Sequence, residues 1–386
     1  MTQRVSKCMT MIVMTGVFST LFLACDSSTA TKKADGGPSD GSASTLSPLQ
    51  ARGKYLVDNV IACGDCHTPQ GPMGPDMTKY LAGNANFIQL PNGDALPTRN
   101  LTNDATGLKN LKDAEIKAMF MDGVRPTATG MEALNPFMPY YVFHNMKDED
   151  ADAIVAYLRV VPAVENMIPR RGVSFDVPAA APAFDLTKLP PIADTFPEKA
   201  SALRGQYLVT QTGLCLECHT KHLPPGSSTV LDEAHLFEGG EDFSPIFAST
   251  LMIKPVSKNL TSDSATGLGD WTVTDIVKAL KEGKAKDGTG ICPPMPAVGP
   301  MSAYAGLKET DATDIANYIR SLPPKVNMIP DMCVFPPMGP GAGGAGGGGG
   351  AGGAGGAGGA GGAAGGAGGR GGGGGASANP DGGGGN

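Results

Sequence analysis

The sequence predicts an all-α protein: two tandem helical units, one a copy of the other, between an N-terminal tether and a Gly-rich C-terminal tail. Three observations carry this expectation. The phrase Arg52-Gly53-Lys54-Tyr55-Leu56-Val57 recurs as Arg204-Gly205-Gln206-Tyr207-Leu208-Val209, and Cys63 recurs as Cys215, each 152 residues on. Apolar residues fall at helical spacing, with Ile154, Tyr157 and Leu158 on one face and Ile315, Tyr318 and Ile319 on another. Both short amphipathic segments, Asp113 to Met121 and Val273 to Lys281, run into a glycine, Gly123 or Gly283, which suits a helix C-cap. A duplication of this kind governs every later assignment.

The elements follow in order. Arg4 and Lys7 precede a mostly apolar run from Met9 to Leu23, too short to span a bilayer comfortably and suited to a secretory signal. Leu21-Phe22-Leu23-Ala24-Cys25 resembles a bacterial lipobox, in which Cys25 becomes the acylated first residue; a plain cleaved signal is the alternative. Residues 1–24 are therefore read as a lipoprotein-type signal peptide and 25–48 as a flexible linker of Ser, Thr, Ala, Gly and Asp. The first domain covers 49–169: helix, cysteine motif, long loop, short helix, loop and last helix from Asp148 to Val160. A Pro- and Ala-rich linker at 170–199 lies across the surfaces of the two units. The second domain, 200–338, repeats the plan, with its last helix from Glu309 to Ser321. Both last helices run into prolines and then Asn-Met-Ile-Pro, at Asn166 and Asn327. Gly53 and Gly205 would let the first helix of each unit approach the last one closely. Residues 339–386 are nearly all Gly and Ala and are expected to be a disordered tail.

The chemistry lies in Cys63-Gly64-Asp65-Cys66-His67 and Cys215-Leu216-Glu217-Cys218-His219. Each is C-x-x-C-H, the attachment signature of c-type haem. Two thiols on one turn can form thioethers to the two vinyl groups of one porphyrin, and the next residue presents an imidazole to the iron. The competing readings are a dithiol redox pair, which needs a βαβ context, and a four-cysteine zinc site, which leaves both histidines unexplained. Two copies of haem c are expected. Cys292 and Cys333 are left over, and export makes a disulfide between them an option, with two separate buried thiols as the alternative. A formal net charge of −7 argues against nucleic acid and anionic membrane surfaces as partners.

Taken together, R-G-x-Y-L-V before C-x-x-C-H, N-L-T followed by T-G-L, and M-P before the last helix resemble the class I cytochrome c family, twice over. The likeness extends to diheme cytochromes that partner bacterial dehydrogenases, and covers residues 49–169 and 200–330. It implies that the C-terminal helix of each domain crosses the N-terminal one and that haem lies in an apolar crevice. It also implies a methionine sixth ligand, which raises the potential of the iron. In the first domain that residue is Met138, in Pro136-Phe137-Met138-Pro139. In the second, the phrase Pro294-Met295-Pro296 favours Met295, whereas spacing to the last helix favours Met301. His67 and His219 are the other axial ligands. Asn100 and Asn259 would contact haem propionates, with a purely structural loop role as the alternative. His144, His222 and His235 remain, and are read as solvated rather than as ligands. Trp271 stands where the first domain has Leu111.

Two capped irons can only pass single electrons, so the sequence reads as an electron carrier at the periplasmic side of a Gram-negative envelope, lipid-anchored to the inner or outer membrane. It would serve redox partner proteins such as a dehydrogenase, an oxidase or other cytochromes. The alternatives are a haem enzyme of the peroxidase or thiosulfate dehydrogenase type, or a gas sensor. Each needs one iron with an open distal position.

Overall fold

The computed structural model describes residues 45–71, 74–89, 95–169, 179–223, 230–244, 255–295 and 303–330. The signal segment, Cys25, Met301, Cys333 and the tail at 339–386 lie outside the described residues.

Helix α1 (Pro48–Tyr55) starts on a capping box: the Ser47 hydroxyl accepts from the Gln50 amide at 3.2 Å, and the Gln50 side chain accepts from the Ser47 amide at 2.9 Å. Pro48 at the first helical position adds a preset φ. The helix widens into a π-turn at Leu56–Val60 and leads to α2 (Cys63–His67). Helix α3 (Asp113–Met121) follows, then α4 (Tyr140–Phe143) and α5 (Asp148–Leu158), whose first turn carries Asp148, Glu149 and Asp150 to complement the helix dipole.

The second half repeats the order with α6 (Lys199–Tyr207), a π-turn at Leu208–Thr212, α7 (Cys215–Cys218), α8 (Val273–Glu282) and α9 (Glu309–Ser321). A 3-10 turn at Ala303–Gly306 stands in the place of α4. Both short helices end as expected, with Gly123 and Gly283 left-handed at φ 66° and 63°. The expectation of helices alone needs one correction. Among the described residues, three two-stranded antiparallel ribbons occur in the first half, and the largest pairs β1 (Val124–Thr127) with β2 (Gly130–Ala133). Thr127 pairs with Gly130 across a two-residue turn at Ala128-Thr129, so a segment expected as loop is a hairpin.

Each half is built on one helix crossing. α1 meets α5 at Gly53, where an added Cβ would lie 1.8 Å from the Ala153 carbonyl oxygen. α6 meets α9 at Gly205, 1.9 Å from the Asp314 carbonyl oxygen. The faces expected to be apolar are buried, with Ile154, Tyr157, Leu158, Ile315, Tyr318 and Ile319 all in the core. An ion pair locks each crossing: Arg52 to Asp150 through two 2.8 Å bonds, and Arg204 to Asp314 likewise.

The two halves share one hydrophobic core rather than two, and the contacts place them in a single compact unit. Their packing is reciprocal. The Tyr207 hydroxyl crosses to donate to Asp150 Oδ2 at 2.7 Å and accepts from the Lys147 amide at 3.3 Å, at the start of α5. The Tyr55 hydroxyl crosses the other way to Asp311 Oδ2 at 2.6 Å and accepts from the Lys308 amide at 3.2 Å, at the start of α9. Lys147 and Lys308 each place an ammonium over the visiting ring, at 4.6 and 4.5 Å. The tyrosine of each repeated phrase therefore caps the last helix of the other half. The segment between the halves is tied down as well, because the Phe184 amide donates to the Tyr141 carbonyl at 2.9 Å and Phe184 and Ile192 are buried. Among the described residues no helix is long and apolar enough to cross a membrane.

Candidate functional site

Each C-x-x-C-H segment forms a single helical turn directly after its π-turn, so the two thiols, three residues apart, project from one side. The chain reaches the first turn through Ala62, which is left-handed at φ 61°, and the second through Gly213, which is extended. Beyond each turn the path is the same. Thr68 and Thr220 are fully buried, and their hydroxyls accept from the amides of Leu81 at 3.2 Å and Phe237 at 3.1 Å. Leu81 and Phe237 both adopt positive φ, at 61° and 64°. Gly83 and Gly239 then donate to the carbonyls of His67 and His219 at 2.7 and 2.8 Å. Those two positions demand glycine: φ is positive, and a Cβ would lie 2.7 Å from the Arg99 carbonyl carbon or 2.5 Å from that of Lys258.

The histidines are held identically. His67 Nδ1 lies 2.8 Å from the Arg99 carbonyl oxygen, and His219 Nδ1 lies 2.7 Å from that of Lys258. A carbonyl only accepts, so Nδ1 carries the proton and Nε2 keeps its lone pair for a metal. Burial lowers the pKa of both imidazoles, which keeps them neutral and competent as ligands. The carbonyls are steadied in turn: Arg99 donates to the Ile168 carbonyl at 2.9 Å, and Lys258 to that of Pro330 at 3.1 Å.

The thiols argue against a dithiol redox pair. Burial pushes Cys63 and Cys215 up to about 12, and Cys66 and Cys218 rise further for the same reason. A redox cysteine needs a lowered pKa. Among the described residues no three His, Cys, Asp or Glu side chains gather to hold a metal ion by themselves, so the zinc reading has no donor set. Paired thiols on one turn beside a neutral imidazole with a free Nε2 fit a covalently attached haem.

The structure also sets a register for the methionines. Gly123 accepts from the Leu134 amide at 2.7 Å, and four residues after Leu134 the chain turns at Met138, whose amide donates to Asn135 at 3.1 Å. In the second half Gly283 accepts from the Ile291 amide at 2.8 Å, and four residues after Ile291 the chain turns at Met295, whose amide donates to Cys292 at 3.3 Å. Both methionines pack half-buried against the core. The segment from this turn to the last helix is longer in the second half, 23 residues from Met295 to Tyr318 against 19 from Met138 to Tyr157, which is why spacing and motif disagree in the sequence. Cys292 is disulfide-bonded, and Cys333 lies outside the described residues.

Two expectations change. The propionate role of Asn100 and Asn259 gives way to the structural alternative. Asn100 donates to Thr106 Oγ1 at 3.0 Å and the Val164 carbonyl at 2.8 Å, while its Oδ1 accepts from the Thr102 amide and hydroxyl at 2.9 and 2.8 Å. Asn259 makes the same four bonds with Thr266, Lys325 and Thr261. No donor is left for a propionate. Of the solvated histidines, His144 and His235 are open to water, but His222 is 4% exposed and sits between the halves. No pattern in the sequence marks it, because Tyr141 and Glu241 reach it from 81 and 19 residues away. Trp271 and Leu111 both pack against the core, partly buried.

The two cysteine turns adjoin each other. The stretches that lead into them meet, because a Cβ on Gly213 would lie 3.8 Å from the Val60 carbonyl oxygen.

Residues 50–162 match the cytochrome c family, and with the geometry above they form a cytochrome c domain, a class that binds haem c covalently. Over most of its length the chain is also similar to cytochrome subunits of dehydrogenases. It is 28% identical over 293 residues to the fructose dehydrogenase cytochrome subunit of Gluconobacter japonicus, covering 73% of this chain and 54% of that protein. It is 30% identical over 291 residues to the cytochrome c subunit of the quinone alcohol dehydrogenase of Gluconacetobacter polyoxogenes, covering 72% and 57%. A diheme c-type cytochrome of Cereibacter sphaeroides is 34% identical over 137 residues, covering 34% of this chain and 41% of that one. The chain thus spans little more than half the length of the dehydrogenase subunits it matches.

Proposed function

We propose that the chain is a two-haem electron carrier serving a dehydrogenase, built from two tandem class I cytochrome c domains. One observation carries this reading. In both halves a C-x-x-C-H turn holds an imidazole whose Nδ1 is bound to a backbone carbonyl and whose Nε2 is free. Cys63 and Cys66 hold one haem and Cys215 and Cys218 the other, through thioethers. His67 and His219 supply the proximal nitrogen. Met138 closes the distal side of the first site. Met295 closes the second, supported by its place in the same turn as Met138, with Met301 as the alternative. Bound haem supplies reversible one-electron chemistry. The residues contribute fixed ligands, an apolar surround and adjoining attachment turns, which favour passage of an electron from one site to the other. Cys25 is the lipid anchor that keeps the chain at the periplasmic face of the envelope, and Cys333 is the disulfide partner of Cys292.

The test is direct. Mass analysis of the exported protein is expected to show two added haems, and spectra to show two low-spin haems that do not shift with carbon monoxide. Met138→Ala and Met295→Ala are each expected to turn one haem high-spin, while Met301→Ala leaves both low-spin. A chain without haem at either cysteine pair, or one that binds carbon monoxide unmodified, would overturn the carrier.

A further inference from the structure

His222 is a buried titratable group that the haem-holding residues do not use, and it lies three residues beyond His219. Its ring is enclosed by groups from three elements. From α4 of the other half, the Tyr141 hydroxyl stands 3.3 Å from Nε2. From the C-x-x-C-H turn, Glu217 Oε1 stands 3.6 Å from the same nitrogen. From the following loop, Glu241 Oε1 stands 3.4 Å from Nδ1, while Glu241 Oε2 accepts from the His222 amide at 2.9 Å. Nδ1 has no well-formed hydrogen bond in this arrangement.

A neutral imidazole has one N–H for two nitrogens. Here both nitrogens face carboxylates: with Nδ1 protonated toward Glu241, a bare Nε2 can accept from the Tyr141 hydroxyl but also faces Glu217. A doubly protonated ring would donate on both sides. Burial opposes that charge, but the Glu241 contact and the charges of Glu217 and Glu241 outweigh it and raise the His222 pKa above 6.5. Tyr141 stays a neutral hydroxyl, its pKa pushed well above 10.0, chiefly by burial. The cluster is also wired to the attachment turn, because the Cys218 thiol donates to Glu217 Oε2 at 3.2 Å. A thioether has no S–H, so haem attachment removes that donor and leaves His222 as the donor facing Glu217.

We propose that His222 is a proton site coupled to the second haem, so that this half of the protein moves a proton together with its electron. The inference rests on the two-haem reading above. A one-electron donor, in the test an electrode acting through a one-electron mediator, reduces the ferric iron, and the haem loses one positive charge. His222 then takes one proton from water onto its bare nitrogen and gains one positive charge, so the net charge of the site is unchanged. Reoxidation releases both. For charges on the order of 10 Å apart at an effective dielectric of about 20, the coupling changes the proton affinity about tenfold.

The sign follows. Below the oxidised-state pKa the ring is protonated in both redox states, and above the reduced-state pKa it is neutral in both, so the potential is flat at either end. Between them the midpoint potential falls as pH rises, and the whole step is about tenfold in the reduction equilibrium, or about 59 mV for one electron.

The experiment is a spectroelectrochemical titration of the haem-loaded protein from below pH 6.5 to well above it. Wild type is expected to show one haem with this step. His222→Gln is expected to abolish the step on that haem alone, which also separates it from propionate ionisation. Glu241→Gln, which removes one negative neighbour and spares the ring, is expected to move the step to lower pH. It serves as the second variant should His222→Gln not fold. Two haems whose potentials are pH-independent, or a step unchanged in the variants, would overturn the proton site alone. A second turn without haem would overturn the carrier reading and this site with it.

Discussion

Gly53→Ala separates local from tertiary physics, because the two give opposite signs. Gly53 is interior to α1, so helix propensity alone makes alanine more stable there by about 1 kcal/mol. The crossing says otherwise. The new Cβ would lie 1.8 Å from the Ala153 carbonyl oxygen, against the 3.0 Å that real Cβ contacts keep, a deficit of 1.2 Å, and it would also lie 2.5 Å from the Ala153 carbonyl carbon. Both obstacles are backbone atoms of α5, so no rotamer change relieves the clash and the helices must separate. A gap of 0.5–1 Å already forfeits roughly a quarter to a half of each dispersion contact along the seam. That seam includes the buried Ile154, Tyr157 and Leu158. With overpacking and lost contacts set against the propensity gain, the net cost is about 3 kcal/mol. Urea unfolding of the haem-loaded protein, followed by far-UV circular dichroism, reads it as a lower midpoint with an unchanged slope. Gly205→Ala, whose Cβ would lie 1.9 Å from the Asp314 carbonyl oxygen, is expected to behave alike. A Gly53→Ala protein as stable as wild type, or more stable, would refute the close crossing.

Tyr55→Phe removes the hydroxyl that reaches Asp311 and Lys308, and Tyr207→Phe its counterpart at Asp150 and Lys147. Each is expected to cost about 1.5–3 kcal/mol in denaturant unfolding. The Tyr55→Phe loss should shrink when Asp311 is already Asn, a coupling that a double-mutant cycle reads. Asn100→Ala strips four hydrogen bonds from a buried loop and is expected to cost about 3 kcal/mol in the same assay, as is Asn259→Ala. Acid stability should report on Asp150. Burial raises its pKa, but the hydrogen bonds from Arg52 and Tyr207 outweigh it and leave the carboxyl below its usual 3.8. A depressed carboxyl contributes stability that is fully present above 3.8 and is lost as pH falls through the folded-state value. Asp150→Asn should therefore flatten the loss of stability below pH 3.8, read from thermal midpoints across acid pH.

Much of the architecture was legible in the residues, and the reason is locality. Two cysteines and a histidine within five residues share one turn whatever surrounds them, and a phrase repeated 152 residues on announces a repeated unit. Helix ends at Gly123 and Gly283 and apolar faces on α5 and α9 follow from backbone sterics and periodicity, which act over a few residues. Gly53 and Gly205 were legible as points of close approach because glycine inside a helix is costly unless something must pass near it.

Whatever depends on distant segments meeting was decided only by tertiary structure. The sequence places Tyr55 and Tyr207 in a repeated phrase, but only packing turns each hydroxyl toward the last helix of the opposite half. Asn100 and Asn259 have the chemistry for a propionate or for a loop, and the folded chain commits both amides to carbonyls and hydroxyls over sixty residues away or close by. Met295 takes the same turn as Met138 because a backbone bond at Gly283 sets the register, which counting from the last helix cannot detect. His222 reads as an ordinary polar residue in the chain and becomes a buried group between two carboxylates only once Tyr141, Glu217 and Glu241 converge on it. Local chemistry is written along one turn of backbone, whereas electrostatic environment is a sum over neighbours that only the closed core brings together.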